Sequence, residues 1–156
     1  METVYLDTET TGLSADDEII EIAIINDDGE PLINTLVKPV NHTSWPEAQR
    51  IHGLSSIDLR HAPTQSEITN KIKEIVRDKC VVIYNAPYDS QYLPELEEAA
   101  DVRCAMREFA EFNESKWKSL TNAAKIIGYE GEQAHRALED TKTLRAIWKH
   151  LQANER

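Results

Sequence analysis

The apolar positions of this chain fall into short blocks whose period changes along its length. TVYLD (residues 3–7) is an apolar run ending on an acid and reads as a first strand. EIIEIAIIN (18–26) is almost continuously apolar and rich in isoleucine. It is too short for a lone helix and its β-branched residues suit a central strand. DDGE (27–30) is a turn signal, with Gly29 free to take positive φ, and PLINTLVKP follows as a third strand, so strands two and three form a hairpin that Pro39 ends. Residues 40–63 are irregular apart from a short helix near Pro46 to Ile51. Thr64 and Glu67 have capping-box spacing, and Ile68, Ile72, Ile75 and Val76 make the apolar face of the helix they start. CVVIYN (80–85) is a second buried strand, followed by a helix from about Tyr88 that Pro94 bends or breaks. DVRC (101–104) reads as a short edge strand. Helices at 105–112 and 119–127, stopped by Gly128, precede a last helix from Ala137 to His150. Strands first, then helices alternating with strands, predict an α/β fold with a mixed sheet, built as one domain over residues 1–156.

Composition narrows the possibilities. Of 156 residues, 40% are hydrophobic, enough for a core. The net charge of −11 argues against a protein that grips nucleic acid by bulk electrostatics; even with four acids discounted as metal ligands the balance is about −7, so any such grip is local. Cys80 and Cys104 form no zinc or disulfide pattern and read as reduced thiols. No signal peptide stands at the N-terminus, and no apolar run approaches the ~18 residues of a membrane span. The expectation is a soluble, cytoplasmic protein.

Against that background four acids and one histidine stand out. Asp7 and Glu9 share a face if the first strand continues, roughly 7 Å apart at ~3.3 Å per residue. Two carboxylates so placed at the edge of a core repel, and burial worsens it. Asp89 follows a buried strand within four residues, where α/β sheets build their sites; the structural alternative is a helix-opening acid. Asp140 lies on the line of Leu144, Ile147 and Leu151, although a stripe of Ala137, Thr141, Leu144, Trp148 and Leu151 would leave it at the margin. His135 precedes Asp140 by five residues and belongs in the loop before the helix, within GYEGEQAH. Asp16, Asp17 and Glu18, and Glu95, Glu97 and Glu98, read as solvated runs, whereas Glu21 inside IIEIAII reads as a structurally hydrogen-bonded acid.

Taken in order, DTETTGL, NAPYD and HRALED resemble the DnaQ-like 3′–5′ exonucleases of the DEDDh subgroup, and IIEIAI and IHGLS (51–55) are similar to the same family. Each motif alone is weak; the set is specific and covers essentially the whole chain. The resemblance implies an RNase H-like fold, with a central sheet of about five strands flanked by helices. It implies that Asp7, Glu9, Asp89 and Asp140 bind two divalent ions and that His135 is the general base. The sister subgroup has tyrosine where this chain has Arg136. It also implies that Thr10 and Leu13 hold the terminal nucleotide, with Ile51, His52 and Asn85 beside it; for Leu13 and Ile51 the alternative is core packing. Tyr84 and Tyr88 depart from the His and Phe common in relatives and bear on substrate preference.

The chemistry suits the residues. Hydrolysis of a phosphodiester develops charge on the attacking and leaving oxygens, which two metals about 3.5–4 Å apart stabilise. Mg²⁺ and Mn²⁺ take oxygen ligands, hence Asp and Glu. A histidine, with a reference pKa near 6.5, is a base available near neutral pH. Lys116, Lys118, Lys125 and Arg136 offer local positive charge, and Trp117 between two lysines offers a stacking surface. The expected activity is release of nucleoside 5′-monophosphates from 3′ ends of single-stranded DNA or RNA. The alternative is a catalytically inactive exonuclease-like binding or proofreading module; a carboxylate-pair glycosidase and a generic acidic interaction domain fit less well, since neither needs four acids and a histidine. A homodimer, or assembly with a polymerase or another nuclease, is compatible with a chain of this size.

Overall fold

The computed structural model describes residues 1–131 and 135–155. Five strands form one mixed sheet: β1 (Thr3–Thr10), β2 (Ile19–Asn26), β3 (Pro31–Leu36), β4 (Cys80–Ile83) and β5 (Asp101–Cys104), in the order β3-β2-β1-β4-β5. β2 is antiparallel to both β1 and β3, and β4 runs parallel to β1 and β5, so the expected hairpin and mixed sheet are present.

The alternation of β1 assigns its two faces. Val4 and Leu6 enter a core with Ile24, Ile72, Val76, Val81 and Ile83, covered by α2 (Gln65–Val76). Tyr5 points the other way, into a core with Val82, Leu144 and Trp148, covered by α6 (Ala137–Ala153). Asp7 and Glu9 share the parity of Tyr5 and so belong to the α6 side. β2 is buried along its length down to Ile25, as a strand with both faces covered should be. The Thr64–Glu67 capping box is present, with the Thr64 side chain accepting from the Glu67 N–H and the Glu67 side chain accepting from the Thr64 N–H.

The remaining helices are α1 (Pro46–His52), α3 (Ala86–Ser90), α4 (Ala105–Phe112) and α5 (Leu120–Ile127), with a 3₁₀ turn at Pro94–Glu98. Several boundaries differ from expectation: β3 ends at Leu36, short of Pro39, and α6 runs past His150 to Ala153. β1 runs on to Thr10, because β2 supplies a partner as far as Ile19, so both acids lie inside the strand. β4 stops at Ile83 instead of continuing to Asn85, which takes a left-handed conformation at φ 65°. The helix after it starts two residues earlier than expected and lasts five residues; the 3₁₀ turn begins at Pro94, as a proline break predicts.

Two acid runs are less solvated than expected. Glu95 is buried and accepts hydrogen bonds from Thr69 Oγ1 (2.9 Å) and Gln65 Nε2 (3.3 Å), tying the 3₁₀ turn to α2. Asp17 accepts from Thr11 Oγ1 (2.6 Å) and from the Ser14 N–H (2.9 Å), closing the loop after β1. Gly12 leaves room for that closure, since a Cβ there would lie 2.5 Å from Asp17 Oδ2. Among the described residues no helix is long and apolar enough to cross a membrane.

Candidate active site

Asp7 and Glu9 project from the middle and end of β1 towards the first turn of α6, which carries Asp140. One carboxylate oxygen from each of the three lies within 4.8 Å of the others. Asp7 Oδ2 is buried and has no hydrogen-bond partner among the described residues. A register shift between Glu9 and Thr10 kinks the strand where it leaves the acids, a common device beside active sites. Asp89, in α3, is buried and approaches from the other side of β1, where Thr8 Oγ1 donates to its Oδ2 at 3.2 Å. It is not one of the three mutually close carboxylates, but its charge acts on Asp7.

The electrostatics follow from crowding. Burial, then Asp89, Glu9 and Asp140, push Asp7 well above the ordinary carboxylate range. Burial and then the charges of Asp140 and Glu21 raise Glu9 to about 9. Burial raises Asp89 to about 7, opposed by the Thr8 hydrogen bonds. Asp140 rises to about 6, mainly from burial, with His135 pulling the other way. Without a cation these groups cannot all ionise together. An unpartnered buried oxygen beside hard oxygen donors is what a divalent ion would satisfy, so the residues fit the metal that the sequence pattern implies.

His135 is exposed and sits with φ 52° just before α6, close enough to Asp140 for its charge to be felt there. Residues 132–134 of the loop leading to it lie outside the described residues. The position before α6 also carries an ion pair. Arg136 Nη2 reaches Glu21 Oε2 at 2.6 Å and its Nε reaches Glu21 Oε1 at 3.0 Å, while the Ala137 N–H donates to the same Oε1 at 2.9 Å. Glu21 is therefore the hydrogen-bonded structural acid that its place in β2 suggested.

Beside the acids a cleft of about 690 Å³ is lined by Thr10, Leu13, Ile51 and His52 among others. Leu13 is 86% exposed and Ile51 62%, so neither is packed in the core. His52 commits both ring nitrogens inward: Nδ1 accepts from the Leu54 N–H and Nε2 donates to the Thr10 carbonyl, each at 3.1 Å. Burial holds its pKa low. Asn85 stands apart from the cleft lining, at the start of α3. Tyr88, not singled out for a contact from sequence, donates to the Gly12 carbonyl and pairs with Thr10 Oγ1, both at 2.7 Å, and Tyr92 donates to the Ser14 carbonyl at 2.6 Å. Trp117 is exposed, and the backbone of its neighbour Lys118 is held by the Tyr84 hydroxyl at 2.5 Å.

The family model for Exonuclease (RNase_T) matches residues 4–147. The chain is 34% identical over 160 residues to the uncharacterized exonuclease CP81 of Escherichia phage 186, with 89% of this chain and 82% of that protein covered. The chain belongs to the DnaQ-like 3′–5′ exonuclease family. It is accordingly a nuclease of the hydrolase class. The DNA polymerase III subunit epsilon of Rickettsia felis is 28% identical, over 95% of this chain and 72% of that one. Among solved structures, Exonuclease X in complex with 5′ overhanging duplex DNA superposes with a TM-score of 0.80 at 24% identity, over 97% of this chain and 92% of the other. E. coli Exonuclease I with a dA16 oligonucleotide gives 0.81 at 19% identity, over 99% and 41%. These two likenesses establish the RNase H-like exonuclease fold for this chain.

Proposed function

We propose that this DnaQ-like exonuclease is a metal-dependent enzyme that removes nucleoside 5′-monophosphates from the 3′ ends of single-stranded DNA or RNA. The observation that carries this reading is the buried, unpartnered Asp7 Oδ2 with Glu9 and Asp140 oxygens within 4.8 Å. Two Mg²⁺ or Mn²⁺ ions, when bound, supply charge stabilisation for the attacking and leaving oxygens. Asp7, Glu9 and Asp140 hold them, with Asp89 completing the set from the far side of β1.

His135 accepts the proton of the attacking water at an imidazole nitrogen. Its exposed place on the run-in to α6 suits a group that meets substrate and solvent. Thr10, Leu13 and Ile51 receive the terminal nucleotide in the cleft: the exposed apolar side chains take the base and sugar, and the backbone around Thr10 meets the 3′ end. His52 supports that backbone from beneath through the Thr10 carbonyl. Asn85 borders the approach of the scissile phosphate from the β4 end. A polymerase or nuclease partner with a basic surface would supply the charge that an acidic domain lacks for long substrates.

The test uses matched DNA and RNA single strands, 5′- and 3′-labelled, incubated with Mg²⁺ or Mn²⁺ and then with EDTA. Parental protein should release 3′-terminal nucleotides only with metal, and Asp7→Ala should release none. Release unaffected by EDTA, or an Asp7→Ala variant of parental rate, would overturn the proposal.

A further inference from the structure

α6 has no cap of its own. Arg136 occupies the N-cap position without a side-chain cap bond, and helix starts normally need an acceptor for their free N–H groups. The acceptor comes instead from the sheet. Glu21, 3% exposed in β2, takes the Ala137 N–H on Oε1 and closes a two-point ion pair with Arg136. One carboxylate thus fixes two successive residues at the junction between the His135 loop and α6.

The place of this junction gives it meaning. His135, immediately before it, has φ 52°, a conformation that a non-glycine residue keeps only when its surroundings hold it. Asp140 lies in the first turn after it, its N–H bonded to the Arg136 carbonyl at 3.0 Å. Glu21 itself lies directly across the β1–β2 ladder from Glu9. The strand bearing the acids, the helix bearing Asp140 and the residue bearing the imidazole therefore meet at one ion pair. A buried Glu21 beside Glu9 without Arg136 would add another unbalanced charge to an already crowded site.

We propose that Glu21 and Arg136 form a latch that holds His135 and Asp140 in register with Asp7 and Glu9, so that both are positioning residues for the hydrolysis. The proposal rests on the roles given above to His135 and Asp140. Geometry of this kind matters because small misplacements of catalytic groups cost orders of magnitude in rate.

Arg136 is the residue to perturb, because its side chain is half exposed and its loss leaves no cavity. Three readouts apply to Arg136→Ala. The first is Mn²⁺ binding without substrate, expected to weaken about tenfold at a temperature where the variant, destabilised in EDTA by its unpaired Glu21, is still fully folded. The second is turnover on a short strand, expected to fall at least about tenfold with KM little changed, and to recover in part when guanidinium is added. The third is a double-mutant cycle at saturating Mn²⁺: in a His135→Ala background, Arg136→Ala should cost little further turnover, because the part of its effect that metal does not cure passes through the imidazole. Parental Mn²⁺ binding together with turnover losses that simply add would overturn the latch. A parental rate for His135→Ala alone would instead remove the base assignment, leaving the Mn²⁺ measurement to decide whether the latch positions Asp140.

Discussion

Replacing Asp7 with asparagine should stabilise the metal-free protein while destroying its activity. At 4.8 Å, and with an effective dielectric of about 20, two ionised carboxylates repel by about 3.5 kcal/mol, and Asp7 has two such neighbours. That exceeds what a small domain tolerates at one residue, so the folded, metal-free protein keeps a proton that the unfolded chain releases. Such a group lowers stability as pH rises, starting at its ordinary value of 3.8 and continuing up to its raised folded value. The Coulomb figure of about 3.5 kcal/mol per ionised neighbour sets the scale of that cost, which grows as pH rises. Proton sharing within the cluster, where Glu9 rises to about 9, leaves roughly one such repulsion, about 3.5 kcal/mol, to be relieved near pH 8. Asn has nearly the same shape, carries no charge and donates its amide to the neighbouring carboxylates. Asp7→Asn should therefore melt about 7–14 °C above the parental protein at pH 8 in EDTA, and by a smaller margin at pH 6. With millimolar Mn²⁺ the order should reverse, because the parental protein gains binding energy that the variant has lost. Thermal melts at two pH values, with and without metal, supply the comparison. An Asp7→Asn variant that melts at or below the parental temperature at pH 8 in EDTA would refute this account of the site.

Three further outcomes are expected. His135→Ala should retain the Mn²⁺-induced rise in melting temperature while losing about 10²-fold or more in turnover; a variant that also loses the thermal response would make His135 a metal-site residue and not a base. Tyr88→Phe removes the hydroxyl bridging Thr10 and the Gly12 carbonyl beneath Leu13, worth about 1 kcal/mol. It should raise KM for a short strand several-fold with kcat nearly unchanged, and an unaltered KM would detach this hydroxyl from the terminal-nucleotide cleft. Trp117→Ala should weaken binding of long single strands by about 1–3 kcal/mol and leave dinucleotide hydrolysis alone, measured by competition between the two lengths; equal losses on both would argue against a stacking role.

Much of this architecture is visible in the sequence because its signals are local. The isoleucine-rich run predicts β2, the Thr64–Glu67 pair predicts the start of α2, and Gly128 predicts the end of α5 at φ 78°. Asp7 and Glu9 can be placed together for the same reason: two residues apart on a strand means one face. Boundaries set by distant partners are harder. Nothing in TVYLDTET says the strand continues past the acids; the ladder to β2 decides it. Nothing local says β4 ends at Ile83, since Tyr84 is drawn off to the Lys118 carbonyl, 34 residues away. The two readings of the α6 stripe cannot be separated without the sheet against which the helix packs, and that sheet turns Asp140 towards Glu9.

The contrast between like and unlike charges goes further. Acids crowded together, as Asp7, Glu9 and Asp140 are, announce themselves, because they are wrong for a core and no nearby cationic side chain among the described residues pairs with them. Compensating pairs hide, because each half looks ordinary. Glu21 differs only in sitting inside a strand with both faces covered, where a carboxylate has to find a donor. The sequence shows that need but not the donor, which comes from 115 residues away. Arg136, in turn, reads as a cation beside a catalytic histidine and draws attention towards substrate. Only the fold shows that its charge is spent inward, on the buried Glu21 that lies across the ladder from Glu9. A charged residue flanking a candidate base is thus better judged by the buried acid it can reach than by the ligand it stands near.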